Sequence, residues 1–349
     1  LFDGYKRMQG SSAEIAKLLN VPVVLLVNAR MAGYSIASII YGFKHFHPQV
    51  KIVGVVFNQI TSSAHYSYLK EACFDAGVDC LGYLPYNAEF KLPSKHSSIT
   101  LTTKRTMDTQ INLIADDIEK NVNINRLLMN CNRNFPCQYT LPYSSDIEAE
   151  TVIPTSQQIK IAIARDPAFN FIYKENIARL SIYGKISYFS PVYGSDLPEA
   201  DLIYLPGGYP ELFARQLHRR HKLKNALKEY AEKGGKILAE CGGMAFLGRS
   251  ITAKEGGTSY EMCNILPLDF TINSKLNSGY RKMTYNGVEL RGYEFHYSAT
   301  NNAENSLIAT QATNIKGTNV DLPRYRYKNI IASYGHWYWG DKDILDLWK

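Results

Sequence analysis

Cys241 is the residue whose surroundings most clearly suit covalent chemistry, in the run Ala239-Glu240-Cys241-Gly242-Gly243-Met244. Lys236 to Glu240 reads as a strand and Met244 to Leu247 as the helix that follows, so the cysteine sits at the join. A sharp strand-to-helix elbow holds its central residue in a strained backbone conformation, which small neighbours make tolerable. It exposes the sulfur and aims it at a helix N-terminus, whose dipole favours the reactive thiolate. The Gly242 N–H would then face a developing oxyanion. A second glycine pair, Gly207 and Gly208 in Leu205-Pro206-Gly207-Gly208-Tyr209-Pro210-Glu211, also ends a strand. Strand carboxyl ends converge where open parallel sheets bind ligands, and glycines let backbone N–H groups approach closely. Taken alone, Cys241 reads as one more buried core cysteine. Two glycine pairs at two strand ends argue for a nucleophile.

A thiol nucleophile needs a base, and four histidines lie nearby in sequence. His218 and His221 stand among Arg219, Arg220 and Lys222, the pattern of a solvated helix face. His336 ends Ile330-Ile331-Ala332-Ser333-Tyr334-Gly335-His336, after a short apolar strand, and His296 lies in Arg291-Gly292-Tyr293-Glu294-Phe295-His296-Tyr297-Ser298. Position alone leaves both open as base or as structural histidine.

The elements that must carry these residues alternate strand and helix. Ser11 to Glu14 fits a capping box, after which Ile15, Leu18 and Leu19 predict one apolar helix face. Val23–Val27 is a continuous apolar run, expected of a strand buried on both faces. Ile36, Ile39, Ile40 and Phe43 form the next helical stripe; Lys51–Phe57 and Leu81–Leu84 read as further strands. This order predicts a doubly wound parallel sheet. Residues 121–157 turn polar and Asn-rich, with Pro136, Pro142 and Pro154, and read as a linker between domains at 1–120 and 158–349. The second domain restarts the alternation: strands at Lys160–Ala164, Lys185–Phe189, Leu202–Leu205 and Lys236–Ala239, with a helix at Asn170–Leu180. The fold class expected is α/β, two doubly wound domains.

Length and composition agree. The chain has 349 residues, enough for two domains; 45% are hydrophobic and 20% charged, as in ordinary globular proteins. No apolar run approaches the roughly eighteen residues that span a bilayer, and the chain does not open on a basic-then-apolar leader. Its six cysteines form no C-x-x-C pair, which favours a reduced cytoplasm over a disulfide scaffold or zinc site. A net charge of +7 suits an anionic cofactor or polycarboxylate; without a nucleic-acid-binding signature, nucleic acid is not expected.

Several motifs in order resemble the cobyrinate a,c-diamide synthase family. In the second half these are the elbow, the Leu-Pro-Gly-Gly-Tyr-Pro-Glu run, Arg291–Ser298 and Ser333-Tyr334-Gly335-His336. Leu1-Phe2-Asp3-Gly4, Ser12–Leu19 and Gly82-Tyr83-Leu84-Pro85 look like the synthetase half. The similarity spans essentially the whole chain. It implies a dethiobiotin-synthetase-like, P-loop-related first domain and a class I, triad-type glutamine amidotransferase second domain. The implied reaction hydrolyses L-glutamine at a cysteine. ATP with Mg²⁺ phosphorylates acetate carboxylates a and c of a corrinoid polycarboxylate, and ammonia displaces the phosphate.

On this resemblance Cys241 is the nucleophile, His336 raises its nucleophilicity, and Gly208 and Gly242 form the oxyanion hole. In many relatives a second histidine follows two residues later; here that place is Tyr338. Glu294 and His296 are placed at the glutamine site or a domain interface. Asp3, Asn58 and Pro85 are placed at the nucleotide or substrate site, with Asp3 also a metal candidate. Asn28 stands where relatives often carry Asp, and no Gly-rich Lys run of the phosphate-binding type occurs. The expectation is therefore a first domain short of its phosphate loop, with competence for the glutaminase half-reaction alone. Alternatives are amidation of another tetrapyrrole, such as a nickel sirohydrochlorin, and a non-catalytic remnant. A homodimer is the assembly to look for, without membrane association.

Overall fold

A computed structural model describes residues 1–4, 6–90, 104–132, 158–194, 196–253, 256–301 and 308–349. The chain divides into two compact units, Leu1–Glu148 and Ala149–Lys349.

The first unit is built on a three-stranded parallel sheet ordered β1 (Val23–Asn28), β2 (Ile52–Ile60), β3 (Cys80–Pro85). Three helices, α1 (Ser12–Leu19), α2 (Ile36–Phe46) and α3 (Ser63–Asp75), lie between or before these strands. The Ser11 hydroxyl caps α1 by accepting from the Glu14 N–H, whereas the Glu14 carboxylate reaches one residue further back than a capping box requires, to the Gly10 N–H. Two burial expectations are corrected here. α1 packs through its small residues Ala13 and Ala16, and Leu18 is 63% exposed, with Ile15 and Leu19 also out. β1, at the edge of this sheet, is not covered on both faces; Leu26 is 65% exposed. In α2, Ile36 and Ile40 are buried and Ile39 is not.

Part of the segment read as linker is structured. α4 (Lys104–Asn121) and α5 (Ile124–Cys131) follow β3, and α5 is tied to the sheet. Arg126 forms two hydrogen bonds of 2.9 Å to the Asp79 carboxylate, and the Asn130 side chain donates to Asp79 and to the Val53 carbonyl. Polarity and asparagine content hid this helix because its contacts are ionic and amide-mediated. Residues 133–157, with all three linker prolines, lie outside the described residues.

The second unit carries one large mixed sheet. Its parallel part, β5 (Gly184–Phe189), β4 (Ile159–Ala164), β6 (Leu202–Leu205), β7 (Lys236–Glu240) and β14 (Ile330–Ser333), is the core read from the apolar runs. The expected doubly wound sheet is corrected beyond β14. There β13 (Asn319–Tyr327), β12 (Ile308–Asn314), β10 (Asp269–Tyr285), β11 (Val288–Asn301) and β15 (Gly335–Tyr338) continue it antiparallel. The long β10–β11 hairpin turns at Asn286 and Gly287, both at positive φ, as a type I′ turn requires. Asn-Gly between apolar strands is a readable hairpin signal that the alternation of buried runs had masked. Only Tyr334 separates β14 from β15 in sequence, although four strands lie between them in the sheet. The antiparallel part must therefore curl back on itself, which returns His336 and β11 toward the elbow. The helix expected at Asn170–Leu180 starts later, as α6 (Lys174–Tyr183). The preceding residues run extended instead, and Phe171 donates its N–H to the Gly207 carbonyl.

Candidate active site

Cys241 ends β7 and caps the helix α9 (Gly242–Leu247) with φ 45° and ψ −106°. A non-glycine residue held there stores on the order of 1–3 kcal/mol of strain. Neighbouring strands hold it in place, since its N–H donates to the Ser333 carbonyl of β14 at 2.8 Å. The amides of Gly242 and Gly208 both point at Sγ. The two glycine pairs interlock: a Cβ on Gly242 would come within 2.6 Å of Pro210 Cδ and 2.7 Å of the Gly208 carbonyl. The side chain of Cys241 is 7% exposed. Burial first, then the nearby Glu211 carboxylate, push its thiol well above the ordinary thiol range, against the pull of the two amides.

His336 is brought beside this elbow by β15, paired to β11 in the register Tyr293↔His336 and Glu294↔Gly335. Its ring is buried against Phe171, with centroids 4.1 Å apart. Gly207 makes room for it; a Cβ there would fall 2.0 Å from the imidazole Cε1. Nδ1 has no hydrogen-bond partner, and the other ring nitrogen donates to the Phe295 carbonyl. Burial, with the repulsion of His296 behind it, pushes the imidazole down to about 3. The pair at rest is therefore a neutral thiol and a neutral imidazole whose free lone pair can take a proton.

The two do not bond each other directly. The Cys241 thiol faces the Phe295 carbonyl at 3.9 Å, so one backbone oxygen engages both groups. The cavity beside the sulfur is ≈ 20 Å³, lined by Gly208–Glu211, Cys241, Phe270 and Phe295–Ser298 among others. That holds little more than one water molecule. A substrate the size of an amino acid requires these walls to part, and such sites commonly tighten their catalytic contacts only with substrate bound.

His296 lines the same cavity but its ring is committed elsewhere. Nε2 lies 2.8 Å from Glu294 Oε1 and Nδ1 2.7 Å from the Ser298 carbonyl, while the ring stacks 3.6 Å from Tyr334. Glu294 is in turn held by Arg281 through Nε at 2.7 Å and a second guanidinium nitrogen at 2.6 Å. Hydrogen bonds from His296 first, then the charges of His296 and Arg281, hold the Glu294 carboxyl below its usual range against its burial. The chain Arg281–Glu294–His296 thus stiffens a pocket wall, with no ring nitrogen left for the thiol.

Glu240, which precedes the nucleophile, drew no role from the sequence, yet it fastens the elbow to the strand of His336. It accepts from the Tyr204 hydroxyl at 2.8 Å and from the Trp337 N–H at 3.2 Å. Asn176 grips the same strand from its other flank, donating to the Trp337 carbonyl and accepting from the Trp339 N–H. Burial pushes Glu240 up to about 7, partly offset by these donors and by the buried Arg324 cation. Arg324 lies over the rings of Tyr285 and Trp337 with all three guanidinium nitrogens unpartnered. Burial draws it down to about 10, against the attraction of Glu240. No short-range motif announces this attraction, because β13 and β7, which carry Arg324 and Glu240, come together only through β14 between them.

The first-unit candidates are less convergent. Asn58 and Pro85 stand at the carboxyl ends of β2 and β3, where parallel sheets bind ligands. The Asn58 side-chain oxygen is turned onto the Gln59 N–H at 2.9 Å. Asp3 is exposed, and its neighbour Phe2 stacks on Phe43 and Phe46 near the carboxyl end of α2, which leads into the amino end of β2. These three residues are therefore not gathered at one place. Among the described residues no three His, Cys, Asp or Glu side chains stand together as a metal site. No described helix is long and apolar enough to cross a membrane.

Thiol reactivity separates the two units. In the first unit Cys80 is half-buried, with Sγ 3.4 Å from the Tyr66 hydroxyl. A hydrogen bond from the Cys73 thiol, aided by Tyr66 and the Gly82 amide, pulls Cys80 down to about 6. At pH 7.5, limiting iodoacetamide is expected to label Cys80 ahead of Cys241 by at least about tenfold, since the thiolate is the nucleophile. Peptide mapping by mass spectrometry reads this directly; first labelling at Cys241 would contradict the resting state described.

Comparison with known proteins places this geometry. Residues 160–344 match the family described as the CobB/CobQ-like glutamine amidotransferase domain. A protein of Dehalococcoides mccartyi named cobyrinate a,c-diamide synthase is 35% identical over 99% of this chain and 77% of its own length. One of the same name from Priestia megaterium is 33% identical over 99% of this chain and 76% of that protein. A solved glutamine amidotransferase of Thermotoga maritima overlaps 51% of this chain and 76% of its own at 14% identity. Its TM-score of 0.36 is too low to bear on the fold. The second unit, with its cysteine elbow at the end of a parallel strand, is thus a glutamine amidotransferase domain of the CobB/CobQ-like kind. The chain as a whole belongs to the cobyrinate a,c-diamide synthase family.

Proposed function

We propose that the chain hydrolyses L-glutamine at Cys241 and that the ammonia amidates the a and c acetate carboxylates of cobyrinate or hydrogenobyrinate. The observation that carries the first half is a strained cysteine, faced by two glycine amides and adjoining a buried histidine with a free ring lone pair. In this mechanism the thiol proton passes to His336 Nδ1 as Sγ attacks the glutamine side-chain carbonyl carbon. The Gly208 and Gly242 amides stabilise the tetrahedral oxyanion. Collapse breaks the carbon–nitrogen bond, and the nitrogen leaves as ammonia with the proton returned by His336. Water then adds to the thioester, its proton again taken by His336, and glutamate departs as the thiol re-forms. Phe295 gives up its bond with the thiol and the imidazole when glutamine enters, which lets the two meet.

The acceptor half rests on the family resemblance and on the names of the relatives. A carboxylate accepts ammonia poorly until phosphorylation gives it a leaving group, which is the chemistry ATP and Mg²⁺ would supply. The net positive charge of +7 favours a polycarboxylate ligand. Two assays test the reading. Glutamate release from glutamine should fall by at least about 10³-fold in Cys241→Ala; equal rates in both proteins would refute hydrolysis at this cysteine. With ATP, Mg²⁺ and glutamine, an enzyme that joins this chain to a phosphate-binding loop should give the diamide of cobyrinate by mass spectrometry and leave nickel sirohydrochlorin unchanged, the reverse reassigning the acceptor; the chain by itself should carry out the glutaminase half-reaction alone.

A further inference from the structure

Glu211 presents a carboxylate to the cavity beside Cys241, and nothing in the mechanism above uses it. It lies in the 3-10 turn Pro210–Phe213 that follows the Gly207–Gly208 pair, and Pro210 packs against the elbow. Its carboxylate accepts from its own backbone N–H and, among the described residues, from no lysine, arginine or histidine. It lines one cavity with Cys241 and His296, and its charge acts on both Cys241 and Tyr334. Glu211 is half-buried, and an unpaired carboxylate so placed is costly to maintain. His296, which lines the same cavity, has both ring nitrogens committed. The cavity therefore offers one uncompensated anionic group, and the substrate proposed for it carries a cation, the α-ammonium of glutamine.

We propose that Glu211 is the subsite for the α-ammonium group of glutamine. It selects the amino acid over simple carboxamides, and its neutralisation by the bound ammonium removes the charge that opposes ionisation of Cys241. The proposal rests on the glutaminase reading. Burial supports it by pushing the free carboxyl up to about 7, a cost that an incoming ammonium relieves. The arrangement links substrate identity to nucleophile activation: after burial, the Glu211 carboxylate is the next force keeping the thiol protonated, and a bound ammonium would offset it. A carboxamide lacking the α-amino group would then bind less well and also leave the thiol less reactive.

The test uses the whole chain and two diazoketones that alkylate a glutaminase thiol with loss of dinitrogen, 6-diazo-5-oxo-L-norleucine and 6-diazo-5-oxohexanoate, which lacks the α-amino group. Labelling of Cys241 is followed by mass spectrometry. In the wild type the amino compound should label on the order of 100-fold faster, the discrimination expected of a site built around one polar group. In Glu211→Gln the ratio should fall below about fivefold, chiefly through slower labelling by the amino compound. A ratio unchanged in Glu211→Gln overturns the subsite while leaving the glutaminase intact. Absence of labelling by either compound in the wild type overturns the glutaminase reading and this proposal with it. Should Glu211→Gln fail to fold, Glu211→Asp keeps the charge one methylene back and should give an intermediate ratio. A wild-type ratio near one refutes the proposal without any variant.

Discussion

His336→Ala is expected to cut glutamine hydrolysis by about 10³-fold or more while His296→Ala retains a measurable fraction of the wild-type rate. The difference lies in what each ring has left to give. His336 keeps a free Nδ1 against Gly207, whereas His296 spends both nitrogens on Glu294 and Ser298. Ammonia supplied directly should bypass the His336 lesion in any amidation assay, because only the supply of nitrogen is interrupted. The same burial that frees Nδ1 has a cost at acid pH. The folded imidazole is pushed from 6.5 to about 3, so between these values the unfolded chain binds the proton and the folded chain does not. Stability from this group is thus complete above pH 6.5 and falls as the pH is lowered toward 3, at up to roughly 1.4 kcal/mol per unit. Replacing the ring by an uncharged aromatic, His336→Phe, should abolish about 2 kcal/mol of the loss between pH 7.5 and 5. Urea unfolding at the two pH values measures it. Glutamine hydrolysis lost in His296→Ala and kept in His336→Ala would exchange the assignments.

Glu240→Gln is expected to destabilise the protein by about 3 kcal/mol or more. The carboxylate accepts simultaneously from Tyr204 and from the backbone of the strand bearing His336, and glutamine offers only one oxygen for those two donors. The Arg324 cation, already without hydrogen bonds of its own, also loses its nearest compensating charge. Burying neither charge costs less than burying one, so Glu240→Gln with Arg324→Met should recover at least half of the loss. Urea unfolding of the single and double variants gives the coupling. A single variant as stable as wild type would show that Glu240 is not what joins β7 to β15.

The parts of this site that could be read in the sequence are those whose geometry is local. An elbow needs a strand, a small-residue turn and a helix within a dozen residues, and Ala239–Met244 supplies all three. Gly208 could be anticipated because its glycine pair also ends a strand, and its amide indeed points at the cysteine sulfur. Glu211 lay inside a recognised run but gained meaning only when the turn folded it into the Cys241 cavity. Arg281 and Arg324 gave no sequence signal, since each is set beside the groups it acts on by the register of strands in the sheet, which the residue pattern does not specify. The choice between His296 and His336 was open for the same reason. The structure favours His336 through which ring nitrogens find partners, a matter of β11 and β15 lying side by side. In the first unit, apolar periodicity identified α1 and β1 correctly as elements. It misjudged their faces, because Ala13 and Ala16 are buried while the larger Ile15, Leu18 and Leu19 are exposed.

Covalent capture of the nucleophile tests the central claim most directly. The chain is incubated with glutamine, quenched in acid within the first turnovers and digested, and the peptide spanning Cys241 is weighed. The account predicts a γ-glutamyl thioester on Cys241 that accumulates when hydrolysis is slowed and is absent from Cys241→Ala. Glutamine turned over with no acyl group on Cys241, or with the acyl group on another cysteine, would contradict it.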